Sequence, residues 1–288
     1  MTEWSAVLGY DAMNTLSRRE FLEKTGVGAA ALVALPQAKR KVLPIGVQLY
    51  SVRAIAAKDL AGSLAAIKKI GFDGVEFSGF YGHDAKTLRG LLDTHGLRCC
   101  GAHVDQATLV GDELQKTIEF VRTLNTSFIV CPFWPKENMG SIEGYERTAA
   151  IFSEVAEKLK PHQMHLGYHT RGKDFASMNG TTLWDALYGK ASRDVFMQID
   201  VPTTYRSGGD PVAVMKKYPG RTLTIHMHEW GETRGTLIGD GKVNWPELFA
   251  ACETVGGTQW YIVEEESGQH PEFTGIEQNF QRLKKLLA

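Results

Sequence analysis

The 288-residue chain has little cysteine: four residues, Cys99, Cys100, Cys131 and Cys252. None stands in the C-x-x-C spacing of a zinc knuckle or a thioredoxin-like redox site. Adjacent Cys99 and Cys100 are poorly placed to bridge each other, because disulfide geometry strains a vicinal pair. A basic excess is also missing: 32 Lys and Arg face 33 Asp and Glu, a formal net charge of −1. That excludes a surface that draws nucleic acid by counterion release. There is no acidic tail and no low-complexity tract. No glycine-rich phosphate loop follows the first apolar strand, where "LYSVRAIAAKDL" stands, which argues against an open dinucleotide-binding sheet. What is there is 43% hydrophobic residues, enough for one large core or two small ones.

The N-terminus is a separate object. Ser17-Arg18-Arg19-Glu20-Phe21-Leu22-Glu23-Lys24 precedes a Gly/Ala-rich apolar run from Thr25 to Leu35 and then Pro36-Gln37-Ala38. The pattern resembles a bacterial twin-arginine export signal, S-R-R-x-F-L-x-K followed by a mildly hydrophobic segment. The segment is too short for a permanent span. The resemblance implies that residues 1–40 are signal and linker and that the twin-arginine export machinery is a partner. It also implies that residues 41–288, the mature domain, are delivered already folded to the periplasm or beyond.

From Lys41 onward the chain alternates. Strand-like runs are "PIGVQLYS", "GVEFSG", "RCCGAHV", "SFIVCPFW", "MHLGYHT", "VFMQIDV", "LTIHMHE" and "WYIVEEE". Amphipathic helical stretches lie between them, two of which close at Gly71 and Gly96, as helix C-termini do. Near-continuous apolar strands suit a parallel sheet covered by helices. About eight strand–helix units are the number that closes an α/β (β/α)8 TIM barrel. We find no linker that would divide it, so a single domain is expected.

In such a barrel the C-terminal strand ends converge on one face. They carry Gln48 and Tyr50, Glu76, His103, Phe133 and Trp134, His169, Asp200, His226 and His228, then Glu264 with Glu265 and Glu266. Strand ends ordinarily run into turn residues. Here the last four supply His, Asp, His and Glu. Two imidazoles and two carboxylates form a hard-to-borderline donor set for one divalent ion, Mn, Co, Zn, Mg or Fe(II). In "TLTIHMHEW" the two histidines alternate with Leu223, Ile225 and Met227, so both face one way. With His226 as ligand, His228 lies about 6 to 7 Å further along that face. That is far for joint ligation but suited to a substrate hydroxyl.

Taken in order, "GFDGVEF", "GYHTRGKDF", "MQIDV", "GGDPVAVMKKYPGRTLTIHMHEW" and "GDGKVNWPELF…WYIVEEES" are similar to the sugar phosphate isomerase/epimerase superfamily, the xylose isomerase-like TIM barrels. The resemblance covers nearly the whole chain after Lys41. It implies a divalent metal at the C-terminal mouth, with ligands from strands five to eight at the matching positions His169, Asp200, His226 and Glu264. His228 matches a lysine of other members and Glu229 an acid. One departure stands out. Well-studied epimerases place a glutamate where this chain has His169 and pair it with the strand-eight glutamate as two bases, a pair this chain cannot build there. Relatives of the "GYHNHDFEF" type also carry histidine at that position; here Arg171 replaces their second histidine and Asp174 their glutamate.

The expected function is that of a sugar isomerase or epimerase acting on an unphosphorylated sugar or sugar derivative by metal-assisted enolisation. His103, His228 and Glu76 are the candidate acid/base residues, although Glu76 in "GVEF" also suits a hydrogen-bonded network. Tyr50, Phe133, Trp134 and Trp230 are candidates for pocket walls, since sugar C–H faces pack on aromatic rings, and Arg171 for holding a sugar oxygen or carboxylate. A lyase or hydrolase cleaving 3-keto-glycosides by β-elimination is the alternative, followed by a non-catalytic sugar-binding barrel. A DNA-repair endonuclease of the same fold would need more metal ligands and a basic surface. The residues leave a homo-oligomer open.

Overall fold

The computed structural model describes residues 43–133, 138 and 140–288. The twin-arginine segment and Trp134 lie outside the described residues. Eight parallel strands close into a barrel: β1 (Ile45–Gln48), β2 (Gly74–Phe77), β3 (Arg98–His103), β4 (Phe128–Cys131), β5 (His165–His169), β6 (Phe196–Asp200), β7 (Thr224–Met227) and β8 (Trp260–Val263). Sequential strands are neighbours and β8 pairs with β1, so the sheet has no edge. Each expected strand is present. All are shorter than the apolar runs that signalled them, because the runs continue past the last ladder bond into the mouth. A short hairpin, Ser177–Met178 with Thr181–Thr182, interrupts the β5 crossover.

The helices form where capping residues and spacing direct. α1 (Leu60–Ile70) starts on Asp59, whose carboxylate accepts the Gly62 N–H at 2.8 Å, and stops at Gly71 with φ 116°. α2 (Ala85–His95) starts on Asp84 and stops at Gly96 with φ 62°. In both, the left-handed residue is the expected glycine, which has no Cβ to clash. α3 (Glu113–Thr123), α4 (Ile142–Leu159) and α5 (Leu183–Tyr188) follow. After β6 two short helices, α6 (Val201–Arg206) and α7 (Pro211–Lys217), take the place of one. α8 (Trp245–Ala251) and α9 (Glu272–Leu287) complete the ring.

Most of the apolar core lies between strands and helices, with Phe72, Phe77, Phe152, Tyr168 and Leu248 fully buried or nearly so. A second cluster fills the barrel interior: Cys100, Phe128, Val130, Phe196, Trp260 and Ile262. Room for it comes from small inward positions. A Cβ on Gly167 would stand 2.4 Å from Phe196 Cζ, closer than any real contact, so glycine there is a packing requirement. This plug seals the barrel from below, and the polar side chains of the same strands stack above it.

Candidate functional site

Inner-face positions recur every second residue along a strand. On β6 they run Phe196, Gln198, Asp200; on β7, Thr224, His226, with His228 just past the strand; on β8, Trp260, Ile262, with Glu264 just past it. Parallel register then sets Asp200 beside His226 and His226 beside Ile262. The result brings His169, Asp200, His226 and Glu264 together at the mouth. Each offers a ligand atom, and these atoms all lie within 4.8 Å of one another. All four side chains are buried.

His226 is gripped from two sides. Its Nδ1 is 2.6 Å from Glu264 Oε2 and its Nε2 is 2.6 Å from Glu76 Oε2. Burial disfavours its charge, but Glu264 and Glu76 more than offset that and hold the imidazole protonated, well above its ordinary pKa. Burial likewise raises Glu264, yet His226 keeps its carboxyl below the usual range. Once a cation displaces the Nδ1 proton, the Nε2–H bond to Glu76 fixes the tautomer in which Nδ1 gives its lone pair to that cation, the arrangement found behind metal-ligating histidines. His169 is the opposite case. Burial, then the neighbouring imidazoles of His226 and His103, push it down to about 3, so it is neutral. Its Nδ1 lies 3.1 Å from Gln198 Oε1. An amide oxygen only accepts, so Nδ1 carries the hydrogen and Nε2 keeps a lone pair. Asp200 caps α6, its Oδ1 accepting the Thr203 N–H at 2.7 Å, while Oδ2 lies 2.6 Å from His228 Nε2. Against the upward push of burial, His228 above all holds the Asp200 carboxyl low, and Asp200 in turn raises His228. Neutral imidazole, backed imidazole and two ionised carboxylates are a donor set that fits a divalent ion.

A polar layer supports the quartet from below. Gln198 is its hub: Nε2 donates to Glu76 Oε1 at 2.7 Å and to Thr224 Oγ1 at 2.9 Å, and Oε1 receives His103 Nε2 at 2.8 Å as well as His169. Glu76 is fully buried and also accepts from Gln48 Nε2 at 2.7 Å. Burial raises its carboxyl, but His103 and His226 outweigh burial and leave it ionised. Gln198 was not among the expected site residues, although the alternation that turned Asp200 inward turned Gln198 inward too.

The other expected residues spread around the mouth. His103 lies beside His226, rings parallel within 2° and centroids 5.7 Å apart, and lines a cavity of about 440 Å³ with Phe80, Phe120 and Phe133. His228 and Trp230 line a second cavity of about 550 Å³. The Arg171 guanidinium sits 4.2 Å over the Phe133 ring. Tyr50 is on the turn after β1, 43% exposed, beneath the Arg53 guanidinium at 4.1 Å and outside both cavities.

The profile of a family described as the xylose isomerase-like TIM barrel matches residues 64–286. An inosose dehydratase of Serratia proteamaculans is 24% identical over 238 residues, covering 68% of this chain and 78% of that protein. A solved sugar phosphate isomerase/epimerase from Parabacteroides distasonis superposes with a TM-score of 0.73 at 20% identity, over 86% of this chain and all of that one. A structure of the IOLI protein with a bound zinc atom superposes at 0.64 with 13% identity, over 85% of this chain and 98% of that one.

Proposed function

Because the chain belongs to the xylose isomerase-like TIM barrel family, we propose that it is a divalent-metal enzyme that enolises an unphosphorylated sugar or sugar derivative, giving an isomer or epimer. The quartet of His169, Asp200, His226 and Glu264 carries this reading. A cation bound there supplies Lewis-acid polarisation of a carbonyl and its neighbouring hydroxyl. The chain's own groups do the rest. Glu76 and Gln198 hold His226 and His169 in their tautomers, so Glu76 is a positioning residue. His103 donates its Nε2–H into the layer below, leaving Nδ1 a lone pair with which to take an α-proton. His228, charged beside Asp200 on the other flank, is placed to deliver one.

A second reading, loss of a β-hydroxyl after the same proton abstraction, is favoured by one observation. His169 gives its Nδ1–H to Gln198 and leaves its Nε2 lone pair for the quartet, so proton transfer falls to His103 and His228, one base and one acid. Elimination needs one base and one acid only. Support also comes from the inosose dehydratases among the relatives.

Metal-loaded protein incubated in deuterated water with a panel of free keto- and aldo-sugars and cyclitol ketones, read by NMR, tests both. Deuterium entering one carbon with the hydroxyls retained supports isomerisation or epimerisation. An unsaturated product supports dehydration. No exchange on any of them would sink the enolisation reading. We further propose export through the twin-arginine route. Lysine at both Arg18 and Arg19 should then retain the protein in the cytoplasm, and undiminished delivery of that variant would defeat the idea.

A further inference from the structure

We propose that the loop following β7 builds a second sugar subsite beside the quartet, so that the substrate is a two-ring compound rather than a single free sugar. The proposal rests on the enolisation reading for what happens at the first ring.

The loop is pinned to its own first residue. Glu229 is buried, and Oε1 of its carboxylate accepts the N–H groups of Trp230 and Val243, each at 3.0 Å. Oε2 accepts the Gly239 N–H at 2.7 Å and the Trp245 indole N–H at 2.8 Å. Gly241 packs against the same side chain so closely that a Cβ would lie 2.4 Å from Glu229 Cγ. Four donors on one buried carboxylate fold residues 230–244 back onto the barrel without any ligand, so the cavity they enclose is preformed. Its volume, about 550 Å³, falls within the range of small-molecule sites. His228 forms its inner wall and is bonded to Asp200 of the quartet. A molecule with one end at the quartet can therefore reach this cavity with its other end.

The lining groups indicate what that end is. Glu229 is fully engaged, Glu232 pairs with Lys242 at 2.8 Å, and Glu265 accepts from Ser267. Glu266, Arg206 and Arg234 have no hydrogen bond or ion pair among the described residues, and the half-buried Trp230 indole presents a ring 6.0 Å from the Arg206 guanidinium. A flat apolar face with both donors and an acceptor at its rim matches a pyranose, whose C–H face packs on an aromatic ring while its hydroxyls both give and accept hydrogen bonds. A phosphate would meet the Glu266 carboxylate, and an apolar group would strip water from three charged side chains without replacing it.

The test compares sugars whose NMR spectra the metal-loaded protein leaves unchanged over the time of a titration, so that binding is read without turnover. Calorimetry on the metal-loaded protein measures glucose, galactose and fructose against maltose, cellobiose, lactose and sucrose. At least one disaccharide should bind tenfold or more tighter than its component monosaccharides. That ratio should fall towards one in Trp230→Ala and in the double variant Arg234→Ala, Glu266→Ala, with unchanged amide exchange across residues 230–244 showing that the loop stays folded. Glu229→Gln, which turns an NH2 towards two N–H donors, should lose both the loop's protection and the ratio. Equal or undetectable binding of both classes overturns the subsite, as does a preference that survives the variants. Deuterium exchange run on the same samples separates the two claims. Exchange on single-ring ketones without a disaccharide preference overturns the subsite alone; a preference with no exchange on any ketone overturns the enolisation reading alone.

Discussion

The two ends of the barrel interior are built by the same strands and differ completely in chemistry. At the N-terminal end Phe196, Trp260 and Phe128 pack into a dry plug. Two to four residues later the same inner faces carry Gln198 and Asp200, and Glu264. The plug is stabilised by area removed from water. The mouth is held by hydrogen bonds and ion pairs among groups that each cost free energy to bury, and it persists because almost every one has a partner. The lesson is a division of labour. The plug gives stability with no function, and the mouth gives a rigid donor set that leaves imidazole and carboxylate atoms directed at one point.

Five substitutions probe that contrast, from the largest effect down. Replacing His226 by Ala should abolish stoichiometric metal binding and turnover together while the fold survives; elemental analysis showing full occupancy in this variant would rule the quartet out. In the plug, Phe196→Ala should destabilise the protein by about 3 to 5 kcal/mol, the usual cost of emptying a buried aromatic site, yet keep its metal. Denaturant melts and metal titration would show this, and a parallel loss of metal affinity would mean that the two ends are not independent.

The third prediction compares two buried carboxylates. Glu76, between histidines, is held low, whereas the Asp174 carboxylate accepts from the Tyr145 hydroxyl at 2.6 Å, the Tyr168 hydroxyl at 3.3 Å and the Arg171 N–H. Burial dominates, and Asp174 is pushed up to about 6. A raised carboxyl means that the folded state binds the proton more tightly than the unfolded state. The contribution is therefore present below pH 3.8 and lost as pH rises to about 6, roughly 3 kcal/mol across that window. Asp174→Asn should remove this slope whatever constant offset it adds. Parallel stability–pH curves for the two proteins would contradict it.

The smallest effect concerns support of the quartet. Glu76→Gln keeps the shape but weakens the acceptor behind His226, and metal affinity should fall 10- to 100-fold, the range for removing a partner of a ligating histidine. His228→Ala, which loses only a neighbour of Asp200, should retain the ion and lose substrate affinity or turnover. An unchanged metal Kd in Glu76→Gln would leave that carboxylate without the positioning role assigned to it.

Much of this was legible in the residues. Alternation of apolar runs with amphipathic stretches, and glycines at helix ends, identified eight strand–helix units, because strand and helix periods are local properties of the chain. Period-two alternation put His226 and His228 on one face for the same reason. The four donor-type residues at successive strand ends needed only the rule that barrel strands end on a common face. Less was readable where partners are distant in sequence. Glu76 read as a candidate acid/base, but its environment is set by Gln48, His103, Gln198 and His226 from four other strands. Gln198 escaped attention because a lone glutamine in an apolar strand carries no motif.

The sequence by itself determined the barrel, its strand ends and which donor-type residues stand at them, since each follows from periodicity and residue type within a few positions. Only the tertiary structure decided what each group is doing. Which imidazole is neutral, which is protonated, and which carboxylates stay ionised in a buried site depend on contacts between residues as far apart as Glu76 and His226, 150 positions along the chain. So does the folding of the β7 loop onto Glu229, where one carboxylate gathers donors from up to 16 residues away. Protonation and loop closure are set by distances through space, over which sequence spacing has no control.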